Sequence, residues 1–283
     1  MKRTGFVVHP GRKTAIGAAR DLVQHLRGRG VGTRAIDERV EADEVVTADA
    51  FPKDLDLVVS VGGDGTFLRA AQLAALASCP VLGVKVGRVG FLTEAEPDEA
   101  APLIDAALDG RAAIEERVAV CATPEGTEWN EPQWGLNEVM VEKRARHRLI
   151  RLAVYIEGVY VTTFSGDGVI VAAPTGSTAY SFSARGPIVS PSLACLVVTP
   201  VAAHMVFDRS FVLAPSERVV LEVDGEEPGI LSTDGRESLE LPVGSRVTVA
   251  AADRPLRLVR RPDAESFYGR VRDKFELPGE EGM

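Results

Sequence analysis

The stretch that most constrains this chain is Val58-Val-Ser-Val-Gly-Gly-Asp-Gly-Thr-Phe-Leu68. Apolar, mostly β-branched residues run into Gly62-Gly63-Asp64-Gly65-Thr66, and a helix-forming run from Phe67 to Ala77 follows without a break. An apolar run bounded by glycines reads as a strand buried on both faces, which belongs in a parallel sheet. A helix starting where such a strand stops leaves its first N–H groups unpaired, and these can receive phosphate oxygens. The three glycines let backbone and ligand come close. Asp64 sits among them. A carboxylate aimed into a phosphate site is electrostatically unfavourable unless it binds a metal or accepts a proton. The bland alternative is a tight turn without chemistry, since Gly-Asp-Gly is common in turns. The stretch is neither a Walker loop, Gly-x-x-x-x-Gly-Lys-Ser/Thr, nor a Gly-x-Gly-x-x-Gly dinucleotide loop.

The surrounding chain supports a parallel sheet. Gly5 to Val8 reads as a strand, and Lys13 to Arg29 as an amphipathic helix with Ile16, Ala19, Leu22, Val23 and Leu26 on one face. Strands follow over Val31 to Ile36, Leu55 to Val61 and Val81 to Val86, and Pro97 to Gly110 reads as a helix. Alternating strands and helices place ligands at the carboxyl ends of the strands. A second glycine turn, Gly87-Arg-Val-Gly-Phe-Leu-Thr93, lies at one of those ends, so both turns are expected to face one crevice.

From Ala112 the pattern changes. Short alternating runs broken by Gly and Pro, such as Val118 to Ala122, Gly135 to Val141, Leu149 to Ile156, Val159 to Phe164 and Val169 to Ala173, read as antiparallel strands. More follow at Leu193 to Thr199, Phe211 to Leu213, Arg218 to Val223 and Arg246 to Ala250. Phe267, Val271 and Phe275 have helical spacing in the tail. The expected division is an α/β domain over residues 1–111, a β-rich domain over 112–262, and a helical tail over 263–283 that packs back on the first domain.

A net charge of −9 argues against nucleic acid or an anionic membrane as partner, so a polyanionic substrate must meet a local cluster of Arg, Lys or metal. Cys79, Cys121 and Cys195 are widely spaced and odd in number, which indicates neither a disulfide framework nor a zinc site. The four histidines, His9, His25, His147 and His204, show no metal-ligand pairing. The N-terminal apolar run is too short for a signal peptide, and no stretch reaches membrane-spanning length. A reducing cytoplasm fits.

The longest motif is Phe164-Ser-Gly-Asp-Gly-Val-Ile-Val-Ala-Ala-Pro-Thr-Gly-Ser-Thr-Ala-Tyr-Ser-Phe-Ser-Ala-Arg-Gly-Pro-Ile188. Pro174 and Gly176 mark a sharp exit from a strand, Ser177 and Thr178 can cap a following helical turn, and Tyr180 adds an aromatic face. Gly62-Gly-Asp-Gly-Thr66 after a strand resembles the superfamily of NAD kinases, diacylglycerol and sphingosine kinases and phosphofructokinases. The longer motif resembles the second signature of NAD kinases, which the lipid kinases and phosphofructokinases lack, and the resemblance spans roughly Gly5 to Phe275.

That resemblance implies an N-terminal α/β domain with a parallel Rossmann-like sheet and a mostly antiparallel β C-terminal domain. It implies an NAD kinase that phosphorylates the 2′-hydroxyl of the adenosine ribose of NAD to give NADP, using ATP or polyphosphate and Mg2+ or another divalent cation. Asp64 matches the catalytic carboxylate, as a base or as a Mg2+ ligand; no further metal ligand is indicated. Asp64, Gly65, Phe91, Asn137, Glu138, Asp167, Thr175, Thr178, Ala179, Tyr180 and Ser183 match positions that bind NAD. Asn137 and Glu138 match a pair on ribose hydroxyls, and Asp167 matches a contact to the nicotinamide carboxamide. Gly62, Gly63, Thr66, Arg69 and Arg148 are candidates for the phosphates and ATP. Family members are usually homodimers or homotetramers with sites shared between subunits. The chain departs from the family at Lys85, where Asn is frequent, at Ala173 in place of Thr, at Arg185 in place of Gly and at Arg236 in place of Gln. Other readings are a lipid or sugar kinase, against which the Asp167–Ser183 segment speaks, and a non-catalytic NADP-binding regulator, which should have lost Asp64.

Overall fold

The glycine-ended apolar run forms the middle of a sheet. In the computed structural model, which describes residues 1–87, 90–205, 207–236 and 239–278, the chain divides into two compact units. The first comprises Met1–Glu116 and the chain from Leu256 onward; the second is Arg117–Pro255. Arg88 and Val89 of the second glycine turn, and residues 279–283 of the expected tail, lie outside the described residues.

In the first unit the strands are β1 (Arg3–Val8), β2 (Gly32–Ala35), β3 (Glu44–Val45), β4 (Leu57–Gly62), β5 (Val81–Lys85) and β6 (Ala113–Arg117), with a closing strand at Leu256–Arg260. Their order is β3-β2-β1-β4-β5-closing strand-β6. β1 pairs in parallel with β2 and β4, β4 with β5, and β5 with the closing strand. Every residue of β4 is buried, as its lack of polar alternation requires. Helix α1 (Lys13–Gly28) buries Ala15, Ile16, Ala19, Leu22, Val23 and Leu26 on the sheet, and α3 (Ala100–Leu108) buries Ala100, Ile104 and Leu108. Helix α2 (Asp64–Ala77) begins three residues earlier than the helix-forming run. Gly63 is its N-cap, and the amides of Thr66 and Phe67 already bond to the Gly63 carbonyl, so Asp64 stands in the first turn of the helix.

The pattern change at residue 112 and the start of the tail at 263 differ from the boundaries of the fold, at 117 and 256. β6 is mostly exposed and shows no apolar alternation, and the closing strand joins the first sheet only after the whole second unit has intervened. Helix α5 (Phe267–Lys274) then follows, with Val271 buried.

Among the described residues the second unit is built from two six-stranded antiparallel sheets. One contains β7 (Val120–Glu125), β8 (Gln133–Gly135), β10 (Ile150–Ile156) and β11 (Val159–Gly166); the other contains β9 (Glu138–Lys143) and β12 (Gly168–Ala172). Alternate residues of both sheets, among them Leu152, Val154, Val139, Val141, Val169 and Val171, share one core. Met140, Ile170, Ala172 and Val197 form a second core on the outer face of β9 and β12, with Val189 and Cys195. This is why β12 is buried throughout instead of alternating. The strands at Gly229–Thr233 and Leu239–Leu241, absent from the sequence reading, extend the β9 sheet at one edge.

Candidate active site

In the first unit the two glycine turns meet through a side chain. The Asp64 carboxylate accepts from the amides of Phe91 at 3.1 Å and Leu92 at 3.3 Å, one on each oxygen. A Cβ on Gly90 would overlap that carboxylate, so any side chain there would displace Asp64 from its present orientation. Gly62 is constrained in the same way, by Thr66 of the next helical turn. An open cleft of about 680 Å³ lies in front. It is lined by Arg12 and Thr14 at the start of α1, Gly63 and Asp64 at the start of α2, Gly87 and Gly90, and Lys274 at the end of α5. A helix N-terminus carries partial positive charge, so both the acid and any phosphate gain from this location.

Arg69 is placed elsewhere. Five residues beyond Asp64, it stands about 140° further round α2. It lines a separate cleft with Phe6, Pro10, Asp37 and Arg39. Lys85 pairs with Glu96. Cys79 is buried, and burial pushes its thiol up to about 12, which makes it a core residue and not a nucleophile.

In the second unit the candidates fall into two groups. Asn137 and Glu138 start β9, while Thr175, Thr178, Ala179, Tyr180 and Ser183 follow β12, and the register pairs Ala172 with Glu138 at that end. The Asn137 carbonyl accepts from the Ala173 amide at 2.8 Å, and a Cβ on Gly176 would overlap that carbonyl. The Asn-Glu loop and the Pro-Thr-Gly-Ser-Thr turn are therefore one packed unit. Asp167 lies at the other end of β12, roughly 20 Å away at the usual strand rise, where it pairs with Lys143. Arg148 is exposed and 3.5 Å from Glu227.

Asp234 organises the Asn-Glu loop. Its side chain is wholly buried, and its oxygens accept from the amides of Leu136 at 2.8 Å, Asn137 at 2.8 Å and Glu138 at 3.2 Å. Burial raises its pKa, while the three amides and Arg236 oppose the rise. Arg236 donates to the Trp134 carbonyl at 2.7 Å and lies 3.5 Å from Asp234. Burial, with the charge of Asp234 second, pushes the Glu138 carboxyl up to about 8. Its Oε2 is buried and has no hydrogen-bond partner among the described residues, as suits a group that waits for a ligand hydroxyl.

Ser177 does not cap a helical turn as the spacing suggested. Its hydroxyl is buried and bonds both the carbonyl and the amide of Val189, at 3.2 and 3.0 Å. Thr178 bonds the Thr175 carbonyl at 3.4 Å, and Tyr180, which opens the short helix α4 (Tyr180–Ser183), is 45% exposed. Arg185 has φ of +67°, the left-handed region that glycine enters without strain; this is a physical reason for glycine to be common there.

A parallel α/β unit that presents a carboxylate at a helix N-terminus, followed by a β unit with a preformed polar loop, fits the class of nucleotide-handling phosphotransferases. The family model described as the ATP-NAD kinase N-terminal domain matches residues 4–112, and the ATP-NAD kinase C-terminal domain model matches 136–261. NAD kinase 2 of Streptomyces avermitilis is 40% identical over 98% of this chain and 95% of its own length. The NAD kinase of Moorella thermoacetica is 38% identical over 99% of this chain and 91% of its own. An NAD kinase from Archaeoglobus fulgidus, solved in complex with ATP, superposes with a TM-score of 0.75 at 25% identity, covering 99% of this chain and all of that one. Yeast NADH kinase, solved with NADH, superposes with a TM-score of 0.89, covering 99% of this chain and 89% of that one; at 20% identity this shows the fold. The chain belongs to the NAD kinase family. It is an enzyme, a kinase whose activity is the phosphorylation of NAD.

Proposed function

We propose that Asp64 is the base of this reaction. As the 2′-oxygen of the adenosine ribose attacks the terminal phosphorus of the donor, its proton passes to the Asp64 carboxylate. The bond from that oxygen to phosphorus forms, the bond from phosphorus to the leaving ADP oxygen breaks, and Asp64 later returns the proton to solvent. The observation that carries this reading is the pair of amides from Phe91 and Leu92, which hold the carboxylate in one orientation at the cleft. Each oxygen retains a lone pair for a proton or a ligand.

The backbone of Gly62, Gly63 and Gly65 receives phosphate oxygens, whereas the Thr66 amide is already bonded to the Gly63 carbonyl and leaves only its side chain for a ligand. Asn137 and Glu138 hold ribose hydroxyls, and Thr175, Thr178, Ala179, Tyr180 and Ser183 surround the dinucleotide. ATP is the proposed donor, in keeping with the ATP bound by the Archaeoglobus relative. Among the described residues no three His, Cys, Asp or Glu side chains cluster as a metal cage. Mg2+ is usually held by one or two carboxylates plus substrate phosphates. Holding that ion is the rival role for Asp64, and the ion would neutralise phosphate charge. A homodimer or homotetramer with sites shared between copies is the assembly proposed, carried over from the family to which the chain belongs. A cytoplasmic location accords with the free cysteines.

Incubation with NAD and MgATP should yield NADP. Asp64→Asn should lower kcat about 10³-fold, within the usual range for general base catalysis, and leave the Kd for NAD unchanged. Undiminished turnover in that variant would remove Asp64 from the reaction.

A further inference from the structure

Two cations in the Asp64 cleft have no part in the chemistry above. Arg12 precedes α1 and Lys274 ends α5, and both line the cleft with Asp64. A protein of net charge −9 that places an acid in its phosphate site repels a polyanion unless local cations offset it. Among the described lining residues, Arg12 and Lys274 set two positive charges against the one carboxylate.

Arg12 is held in place by backbone, and Lys274 by the anchoring of its helix. The Arg12 guanidinium donates to the Val86 carbonyl and occupies the space where a Cβ on Gly87 would stand, at a backbone φ of +105°. That contact uses one of its five N–H donors. Lys274 is positioned by its helix. One turn earlier, Arg270 donates to the carbonyls of Phe91 at 3.0 Å and Thr93 at 3.4 Å, and pairs with the buried Glu94 at 2.9 Å. The rings of Phe267 and Phe275 lie 6.4 and 6.2 Å from that of Phe91. The segment gripped in this way is the one whose amides hold Asp64. The tail helix thus fastens the support of the carboxylate and brings an ammonium to the same cleft.

We infer that the cleft takes the polyphosphate chain of the phosphoryl donor between Arg12 and Lys274, which makes the C-terminal helix part of the donor site. This rests on the reading of Asp64 as the base. Guanidinium groups bind phosphate by paired N–H donors and ammonium groups as point charges, so the two are complementary ligands for adjacent phosphates.

The test uses the full chain, with ATP as donor and inorganic tripolyphosphate as competitor; the two share phosphates and nothing else. Lys274→Gln and Arg12→Gln should each raise KM for ATP about tenfold, the scale of one charge-assisted hydrogen bond in a partly solvated place. The Ki of tripolyphosphate should rise by the same factor, with KM for NAD unchanged. The Kd for the imido analogue of ATP, measured without turnover, should follow, and Lys274→Arg should restore it. Both side chains are exposed, so the melting temperature should stay near that of the parent. Unchanged KM and Ki in both variants would overturn the inference. So would a rise for ATP without one for tripolyphosphate, because that would place the cations on the nucleoside. A parent protein that makes no NADP would count against the base assignment instead, and analogue binding would still judge the cleft.

Discussion

Asp64 and Asp234 are two carboxylates doing the same local job in the two units. Each accepts from a run of successive backbone amides, Phe91 and Leu92 for Asp64 and Leu136 to Glu138 for Asp234. They differ in what surrounds them. Asp64 borders an open cleft and keeps lone pairs in reach of a ligand, whereas the side chain of Asp234 is wholly buried, bonded to three amides and close to Arg236. The contrast teaches that a carboxylate over backbone N–H groups is a building device, which turns chemical only where solvent and substrate have access. Closed off, it shapes the loop that presents Asn137 and Glu138.

Alanine at both positions gives the sharpest test of that contrast. Asp64→Ala should cost turnover about 10³-fold or more, with little change in stability because water reaches the freed amides. Asp234→Ala should orphan buried amides at roughly 1–3 kcal/mol each. Several kcal/mol of unfolding free energy should vanish in a urea titration, and KM for NAD should rise. Equal stability losses in the two variants would break the comparison.

Next in size are the glycines that fit against each device. Gly90→Ala sets a methyl group into the Asp64 carboxylate and should lower kcat by about 10²-fold, since a displacement of about 1 Å can cost that much. Gly176→Ala sets one against the Asn137 carbonyl and should instead lower stability by about 1–3 kcal/mol, as overpacking does. Steady-state kinetics and urea midpoints on the same two proteins separate the effects.

The smallest effect is a pH slope. Burial holds the Glu138 pKa at about 8 in the folded chain against an ordinary value of 4.5. Between these values the folded chain keeps a proton that the unfolded chain has lost. The stabilisation is complete below about pH 4.5 and is lost as pH rises through about 8. Asp234 and Glu142, also raised chiefly by burial, act in the same direction. Glu138→Gln should therefore flatten the fall in urea midpoint between pH 5 and pH 9 without abolishing it.

Much of the fold was legible along the chain. Residues 58–77 announced a buried strand, a glycine turn and a helix, and those elements form at Leu57–Gly62 and Asp64–Ala77. Phe267, Val271 and Phe275 announced the tail helix. The candidate site was legible as residue types: an acid between glycines, an Asn-Glu pair, and a Pro-Thr-Gly-Ser-Thr turn. Its internal arrangement was not. Nothing near residue 234 shows that its carboxylate supports a loop almost a hundred positions earlier, and nothing near residue 90 shows that its missing side chain makes room for Asp64.

Sequence alone determined which segments become strand or helix and which carry reactive groups, because hydrophobic period, glycine and proline act over a few residues. Only the tertiary structure decided that the chain returns at Leu256–Arg260 to complete its first sheet, and that α5 then grips Phe91 to Glu94. It also parted Asp167 from the Asn137 end of its own strand and set Arg69 on another flank of its helix than Asp64. These outcomes depend on which distant surfaces bury one another and which backbone amides need a carboxylate. Neighbours in sequence do not carry that information.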